Sequence, residues 1–417
     1  MAHHFATATP EPPGTRSRPA SGAVGRRRDL TLLAAVAAAY ALAQIVLVVP
    51  GTGLGWDETV YVSQVSRDAP AAFFSAPRAR GITYLVAPVA ALTTSVAVLR
   101  VWFAVLATAA LLLCLWVWRR LLPAPVVALA GGLFAGLWVT LFYGPQAMPN
   151  LWVAFAALFA TGCFLRAARD PGDRLALAGI AGGVAFAALM RPPDAVWLAL
   201  PLACAVAVVP GWRRPALLLA LAAGAVVGGA EWVVEAELRY GGLISRLHRA
   251  GEIQGGFGWH PAFADQLRSL DGRTLCRPCD VPWRRPVTGL WWFALPPLVV
   301  GGAVTAYRAR RPGPVLLPAL VAACLAAPYL LFVDYAAARF LLPAYALAAI
   351  PVAVCLARLF AVGRARSHLL TGLCLALVAE ELAGQLAVAD DAADRSRADR
   401  RAFNAAVPAL RRLEQLS

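Results

Sequence analysis

Asp57 and Glu58 stand side by side in the segment GWDETVYVSQVSRD, with Tyr61 one helical turn beyond them. A carboxylate so placed can take the proton from a hydroxyl as its oxygen attacks, which is general-base work. The competing reading is structural. Asp57 would cap a helix by accepting from first-turn N–H groups, Glu58 would favour the same positive dipole end, and Trp56 would be an interfacial aromatic. The cations that could meet an anion are all arginines, since Arg carries all the basic charge. Guanidinium forks hold phosphate oxygens through charge-assisted, bidentate hydrogen bonds. Arg100, Arg191 and Arg339 are the candidates for that task. Arg100 and Arg191 have a blander alternative in snorkelling, and Arg78 and Arg80 have one in lipid headgroups. The turn RPPD, Arg191 to Asp194, needs no function to explain its prolines, which force a tight non-helical connection.

Cys276 and Cys279 form a CRPC segment, which would close a local disulfide on an oxidising face, or leave two free thiols, or make a redox pair. A tetrahedral zinc site would want two more ligands; His248 and His260 do not amount to one, and no metal is assigned. Cys114, Cys163, Cys204, Cys324, Cys355 and Cys374 lie in apolar stretches, where a small buried thiol needs no further account.

The elements that must position these groups follow from composition. The 417 residues are 60% hydrophobic and only 15% charged, against about 25% charged in an ordinary soluble domain. A soluble fold is excluded. Apolar stretches near 20 residues recur from Leu30 to Val388, each long enough to cross a hydrocarbon core of roughly 30 Å as a helix. Backbone polar groups in lipid must be satisfied within the segment, so the fold class is an all-α, polytopic transmembrane bundle with external interfacial helices and loops. The net charge of +15 would suggest nucleic acid in a soluble protein, but the arginines cluster between apolar spans, so no nucleic-acid partner is expected. An Arg-only basic complement beside abundant Ala reflects a GC-rich genome.

Arginine-rich short loops stay in the cytoplasm. Arg26, Arg27 and Arg28 precede the first span, and further clusters occur at Arg119/Arg120, Arg166/Arg169/Arg174, Arg213/Arg214, Arg308/Arg310/Arg311 and Arg358/Arg364/Arg366. Placing them all inside predicts about eleven spans, centred near Ala39, Thr108, Leu133, Ala157, Gly182, Ala203, Ala223, Pro296, Ala322, Ala349 and Leu377. The stretch Ile82 to Ser95 is short, carries Pro88, and reads as an interfacial helix. The organisation is then a disordered cytoplasmic tail (1–28), an N-terminal transmembrane module (29–234) with a first external loop (50–96), a large external loop (235–286), a C-terminal transmembrane module (287–388) and an external tail (389–417). Glu380 and Glu381, inside the last apolar stretch, are costly in lipid and must face inward or be protonated.

Asp57, Glu58 and Tyr61, then Gly81 to Ser95 as an interfacial helix, then Leu99 and Arg100, resemble the first loop of the GT-C superfamily of polyprenyl-phosphate-sugar glycosyltransferases. Protein O-mannosyltransferases and lipid A aminoarabinose transferases are the members it most resembles. A second match is DYAAARFLLPAYALAAIP, similar to the family's Arg-aromatic-x-x-Pro segment, with Arg339, Phe340, Pro343 and Pro351 in place. The resemblance implies sugar transfer from a polyprenyl-phosphate donor to a hydroxyl of an envelope glycan, lipid or protein, in a bacterial plasma membrane with the N-terminus cytoplasmic and the active site outside. It implies Asp57 as the base, Glu58 as reserve, and Arg339 ahead of Arg100 and Arg191 on the donor phosphate. Tyr61 and Asn150 would contact substrate, and Trp259 and His260, with Tyr240, would stack on the sugar. Two departures stand out: ARGITYL replaces a His/Lys-Pro-Pro entry, and GPQAMPN puts Asn150 where many relatives place a carboxylate. No cofactor is assigned, and a divalent metal, Mg or Mn, stays open. The rivals are a multi-span transporter, which would carry its ionisable groups near the bilayer midplane, and a non-catalytic, lipid-binding subunit of the same fold.

Overall fold

The computed structural model describes residues 21–256, 258–277, 279, 282–283 and 285–414. Most of the expected tail 1–28 therefore lies outside the described residues, and positions 21–28 already belong to the first helix. The N-terminal half runs α1 (Ser21–Ala43, continued by a π turn Gln44–Val48), α2 (Trp56–Ser63), α3 (Gly81–Ala90), α4 (Val96–Trp118), α5 (Ala124–Gly136), α6 (Trp138–Tyr143), α7 (Pro149–Arg169), α8 (Arg174–Met190), α9 (Pro192–Val208) and α10 (Pro215–Tyr240). The large loop carries α11 (Leu243–Ile253) and α12 (Phe263–Ser269). Then come α13 (Leu290–Arg308), α14 (Gly313–Leu331), α15 (Leu342–Arg366) and α16 (His368–Glu414). Among the described residues the one β pairing is an isolated bridge between Cys276 and Ala336.

Among the described residues, eight helices are long and apolar enough to cross a membrane: α1, α4, α7, α10 and α13 to α16. The three other expected centres, near Leu133, Gly182 and Ala203, fall in the shorter apolar helices α5, α8 and α9. The protein is thus an all-α, multi-pass membrane bundle. α7 and α15 form its centre, most of their residues buried. Small residues let the helices approach. A Cβ on Gly224 or Gly228 of α10 would run into the Ala181 or Ala185 carbonyl oxygen of α8, and one on Gly302 of α13 into the Pro351 carbonyl oxygen. Such close crossings are how helices associate where lipid supplies no hydrophobic drive.

α5 breaks at Leu137 and restarts as α6, which leaves the Trp138 N–H without an intrahelical partner. The Gln385 Oε1 of α16 accepts it at 2.8 Å, and Gln385 Nε2 donates to Glu381 at 2.8 Å. Glu381, unexplained from sequence, thus belongs to a polar clasp between α16 and the break, while Glu380 is exposed. Tyr40 adds a second tie by donating to the Thr140 carbonyl at 3.0 Å.

Two further differences concern ends. The interfacial helix stops at Ala90 rather than Ser95, because the Ser95 Oγ accepts from the Val98 N–H at 3.4 Å and caps α4. Residues 389–414 of the expected tail continue α16, with Val388, Ala389, Ala392 and Ala393 buried. Arg397 and Arg400 on this extension donate to the carbonyls of Leu47, Pro50 and Thr52, at 3.0, 3.4 and 3.3 Å. The extension thereby straps down the segment leading into α2.

The bundle has two chemically distinct ends. At one, Arg166 pairs with Asp173 at 2.6 Å, Arg214 donates to the Ala167 carbonyl, and Trp212 packs on Phe164. At the other lie the segment after α1, the start of α7, the α8–α9 turn, the large loop and the start of α15.

Candidate functional site

At that second end, Asp57 sits in the first turn of α2. It does not cap the helix. The free N–H of Gly55 donates to Glu58 Oε2 at 2.8 Å, so the capping role falls to Glu58. Glu58 also takes both guanidinium N–H groups of Arg100, from Nη1 and, at 2.7 Å, from Nη2, together with the Ala147 N–H at 2.7 Å. Arg100 spends further donors on the carbonyls of Pro145 and Gly53. The pair is almost completely enclosed, at 2% and 1% exposure. Glu58 and Arg100, expected from sequence as reserve base and phosphate ligand, instead face each other beneath α2. They join α2, α4 and the 144–148 turn, and neither lines the pocket above.

Released from capping, Asp57 points into a cavity of about 230 Å³. Its Oδ1 accepts from Arg78 Nη2 at 2.7 Å and its Oδ2 from Arg339 Nη2 at 3.2 Å, and its side chain is 34% exposed. Arg339 lies on the 3-10 turn that opens α15, braced by the Thr274 carbonyl at 2.7 Å and the Tyr143 hydroxyl at 3.3 Å. Arg191, in the turn between α8 and α9, is held by Asp194 at 2.8 Å and by the Tyr329 hydroxyl at 2.8 Å, while Tyr329 donates to the other Asp194 oxygen. Tyr329 stacks on Phe340, centroids 4.9 Å apart, which fixes the α14–α15 junction beside Arg191. Tyr61 is buried next to Arg78, whose guanidinium lies 5.2 Å from the ring centre. Burial raises its phenol above the usual range against the opposing pull of Arg78, so Tyr61 serves as a neutral O–H.

Asn150, at the start of α7, also lines this cavity. It is 1% exposed, yet neither its Nδ2 nor its Oδ1 has a hydrogen-bond partner in the protein. A buried amide left unpaired is costly, so a polar group of a bound molecule is its natural partner. The structure therefore brings together Asp57, Tyr61, Asn150, Arg191 and Arg339 of the residues singled out in the sequence. Trp259 and His260 are elsewhere: both are exposed, and Trp259 leans edge-on against Phe332 at 6.3 Å. Tyr240 is outside the pocket as well, donating to the Phe74 carbonyl at 2.5 Å.

Several contributors were not legible. Arg78 had a lipid headgroup as its alternative, and Arg277, Tyr335 and Gln254, which also line the cavity, were not picked out, although Arg277 lies inside CRPC and Tyr335 inside DYAAARF. Arg246 of α11 is a further one. It is wholly buried and donates to the carbonyls of Ala76, Trp232 and Arg78 at 3.1, 2.7 and 2.9 Å, and to Glu235 at 3.0 Å. It thereby fastens the turn that carries Arg78 to α10. Arg80 ends nearby on Glu235 at 2.5 Å. Cys276 and Cys279 are joined as a disulfide, Cα atoms 4.7 Å apart.

The donor set does not suit Mg²⁺ or Mn²⁺. These ions want carboxylate and water oxygens, whereas here one carboxylate has both oxygens on guanidinium groups and four arginines line the cavity. Among the described residues no group of three His, Cys, Asp or Glu side chains comes together to hold an ion. The arrangement suits an anion next to a hydroxyl-bearing molecule.

No protein-family model and no curated protein sequence matches the chain. Solved structures do. ArnT from Cupriavidus metallidurans, bound to undecaprenyl phosphate, superposes with a TM-score of 0.58 at 14% identity, over 91% of this chain and 76% of its own. AglB from Archaeoglobus fulgidus, in complex with an inhibitory peptide and a dolichol-phosphate, gives 0.54 at 14% identity, and the apo oligosaccharyltransferase from that organism 0.52 at 15%. Both cover 87% of this chain, which spans only 56% of the archaeal protein's length. Identities this low speak to architecture and not to substrate. With its helical bundle, its short amphipathic helices after the first span and a pocket at one bundle end, the chain shares the multi-span fold of these structures, a GT-C-like architecture.

Proposed function

We propose that the protein is an inverting membrane glycosyltransferase that moves a sugar from a polyprenyl-phosphate donor to a hydroxyl of an envelope glycan, lipid or protein. The observation that carries this reading is Asp57, a single carboxylate held between Arg78 and Arg339 in a cavity with Arg191 and Arg277. The acceptor hydroxyl gives its proton to Asp57 as its oxygen bonds to the anomeric carbon. The bond from that carbon to the phosphate oxygen breaks on the opposite face, and its electron pair leaves with polyprenyl phosphate. Attack from the far side inverts the anomeric centre. Asp57 can serve although both oxygens are engaged, because a carboxylate offers about four lone-pair sites and each guanidinium takes one.

The leaving polyprenyl phosphate needs little protonation, since phosphate is already a good leaving group. What it needs is positive charge where negative charge grows, which preorganised arginines supply. Arg339 and Arg191 are placed for this task, and Arg78 both orients Asp57 and faces the anion. Charge stabilisation by arginine, rather than by a divalent metal, is the arrangement the donor set supports.

Sidedness is part of the proposal. The pocket is at the bundle end opposite the arginine-rich loops, and such loops are retained in the cytoplasm, so the site faces outward from a bacterial plasma membrane. A midplane ion site of the transporter kind is a poorer match to a cavity at the helix ends.

The test uses purified protein in lipid nanodiscs with a panel of polyprenyl-phosphate sugars and envelope-derived acceptors, comparing wild type with Asp57→Asn. Sugar transfer by the wild type that drops at least about 100-fold in the equally folded variant supports the base assignment. A fully active variant sinks it. Wild-type protein that binds donor without consuming it points to the non-catalytic subunit instead.

A further inference from the structure

The CRPC segment has no part in the reaction as drawn above, yet it is anchored with unusual care. Its cysteines are disulfide-bonded and nearly buried, at 3% and 8% exposure. On one flank Cys276 pairs with Ala336 through two backbone hydrogen bonds of 2.8 and 3.1 Å, and Ala336 is three residues before Arg339. On the other, Arg268 donates to the Cys279 carbonyl at 2.5 Å. Arg277, the first of the two residues between the cysteines, lies with its guanidinium 4.9 Å from the Tyr335 ring centre and lines the same cavity as Asp57 and Arg339.

Arg277 differs from the other three arginines of the cavity. Arg78 and Arg339 are both spent on Asp57, and Arg191 on Asp194. Among the described residues Arg277 has a ring contact but neither an ion pair nor a hydrogen bond. Its donors face the cavity uncommitted. The charge balance gives it a purpose: four guanidinium groups against two carboxylates leave two positive charges, one of which is Arg277. A phosphodiester donor carries one negative charge, whereas the phosphate monoester it releases carries up to two near neutral pH, its second pKa being about 6.

We propose that Arg277 is a phosphate-binding residue that meets the second charge as it develops on the leaving polyprenyl phosphate, and that the Cys276–Cys279 disulfide pre-positions it. A long, exposed side chain on an open loop would lose rotamer and backbone freedom on binding, and closing a small ring at its base removes part of that cost beforehand. This inference rests on the polyprenyl-phosphate reading.

The experiment measures binding of farnesyl phosphate, a short polyprenyl monoester, to the full chain in nanodiscs for wild type, Arg277→Gln, Cys276→Ser/Cys279→Ser and the triple variant. Arg277→Gln should weaken binding about tenfold, the size expected for one charge-assisted contact. The double cysteine variant should weaken it by nearly as much, and the triple variant should be no weaker than Arg277→Gln, because the disulfide acts through that one side chain. Unchanged affinity in Arg277→Gln overturns the assignment even if the cysteine variant is weak. Additive losses overturn the positioning role of the disulfide. Wild-type protein that binds no prenyl phosphate removes the functional reading itself, and this inference with it; binding by the wild type with an unaffected Arg277→Gln removes the inference alone.

Discussion

At the scale of single residues, Asp57 and Glu58 divide two tasks that adjacency alone could not assign. Glu58 is surrounded by donors and buried with Arg100, so its negative charge is consumed in holding α2 to α4. Asp57 keeps a third of its side chain open to the cavity. Removing one partner of a buried pair strands the other charge, which costs about 3–5 kcal/mol, whereas replacing both with apolar groups is far milder. Glu58→Gln and Arg100→Met should each lower the thermal midpoint in detergent markedly, and Glu58→Leu/Arg100→Leu should recover part of the loss. Stability unchanged in both single variants would mean that the pair does not tie α2 down. Substitution of Asp57, by contrast, should leave the midpoint close to wild type, since its ion pairs are partly solvent-screened.

At the scale of elements, the cavity depends on pieces of chain far apart in sequence. Arg78 is placed by a turn whose carbonyls are gripped by Arg246, more than 160 residues later. Arg246→Met keeps an aliphatic stem but forfeits four hydrogen bonds. The turn should then loosen and Arg78 should drift from Asp57, lowering kcat by roughly ten- to a hundredfold with a smaller change in KM, as a displacement of about 1 Å at a reacting group does. Arg246→Lys should restore a part. Wild-type kcat in a folded Arg246→Met protein would show that α11 is mere covering. The positions of the apolar helices were legible because apolar length is a one-dimensional property: all eleven expected centres lie in helices, eight of them long enough to span. The break between α5 and α6 was not, because its orphan N–H is answered by Gln385, 247 residues away.

At the scale of the whole molecule, the arginine clusters and the cavity sit at opposite ends of the bundle, and that separation makes sidedness testable. A single cysteine introduced at Trp259, which is 71% exposed near the cavity end, should react with a membrane-impermeant maleimide on intact cells. One introduced at the exposed Leu175, beside Asp173 and Arg174 at the other end, should react only after the membrane is opened. The reverse pattern would invert the topology and place the cavity in the cytoplasm. The extension of α16 belongs to this scale too. It lies across the cavity end, gripping the carbonyls before α2 through Arg397 and Arg400 and the Gly272 carbonyl through Arg395 at 2.5 Å. It thus links the two segments that shape the pocket.

The sequence by itself determined the membrane bundle and where its apolar helices lie, and it singled out Asp57 and Arg339, because apolar length, arginine placement and short motifs are written along the chain. Only the tertiary structure decided which of two neighbouring carboxylates faces the cavity, that Arg100 is a strut, that Trp259 and His260 stand aside, and that Arg78, Arg246 and Arg277 belong. The physical reason is that a guanidinium is defined by its partner. Snorkelling, bracing a carbonyl, neutralising a buried carboxylate and waiting for an anion use the same side chain, and the fold alone sets which partner lies within 3 Å.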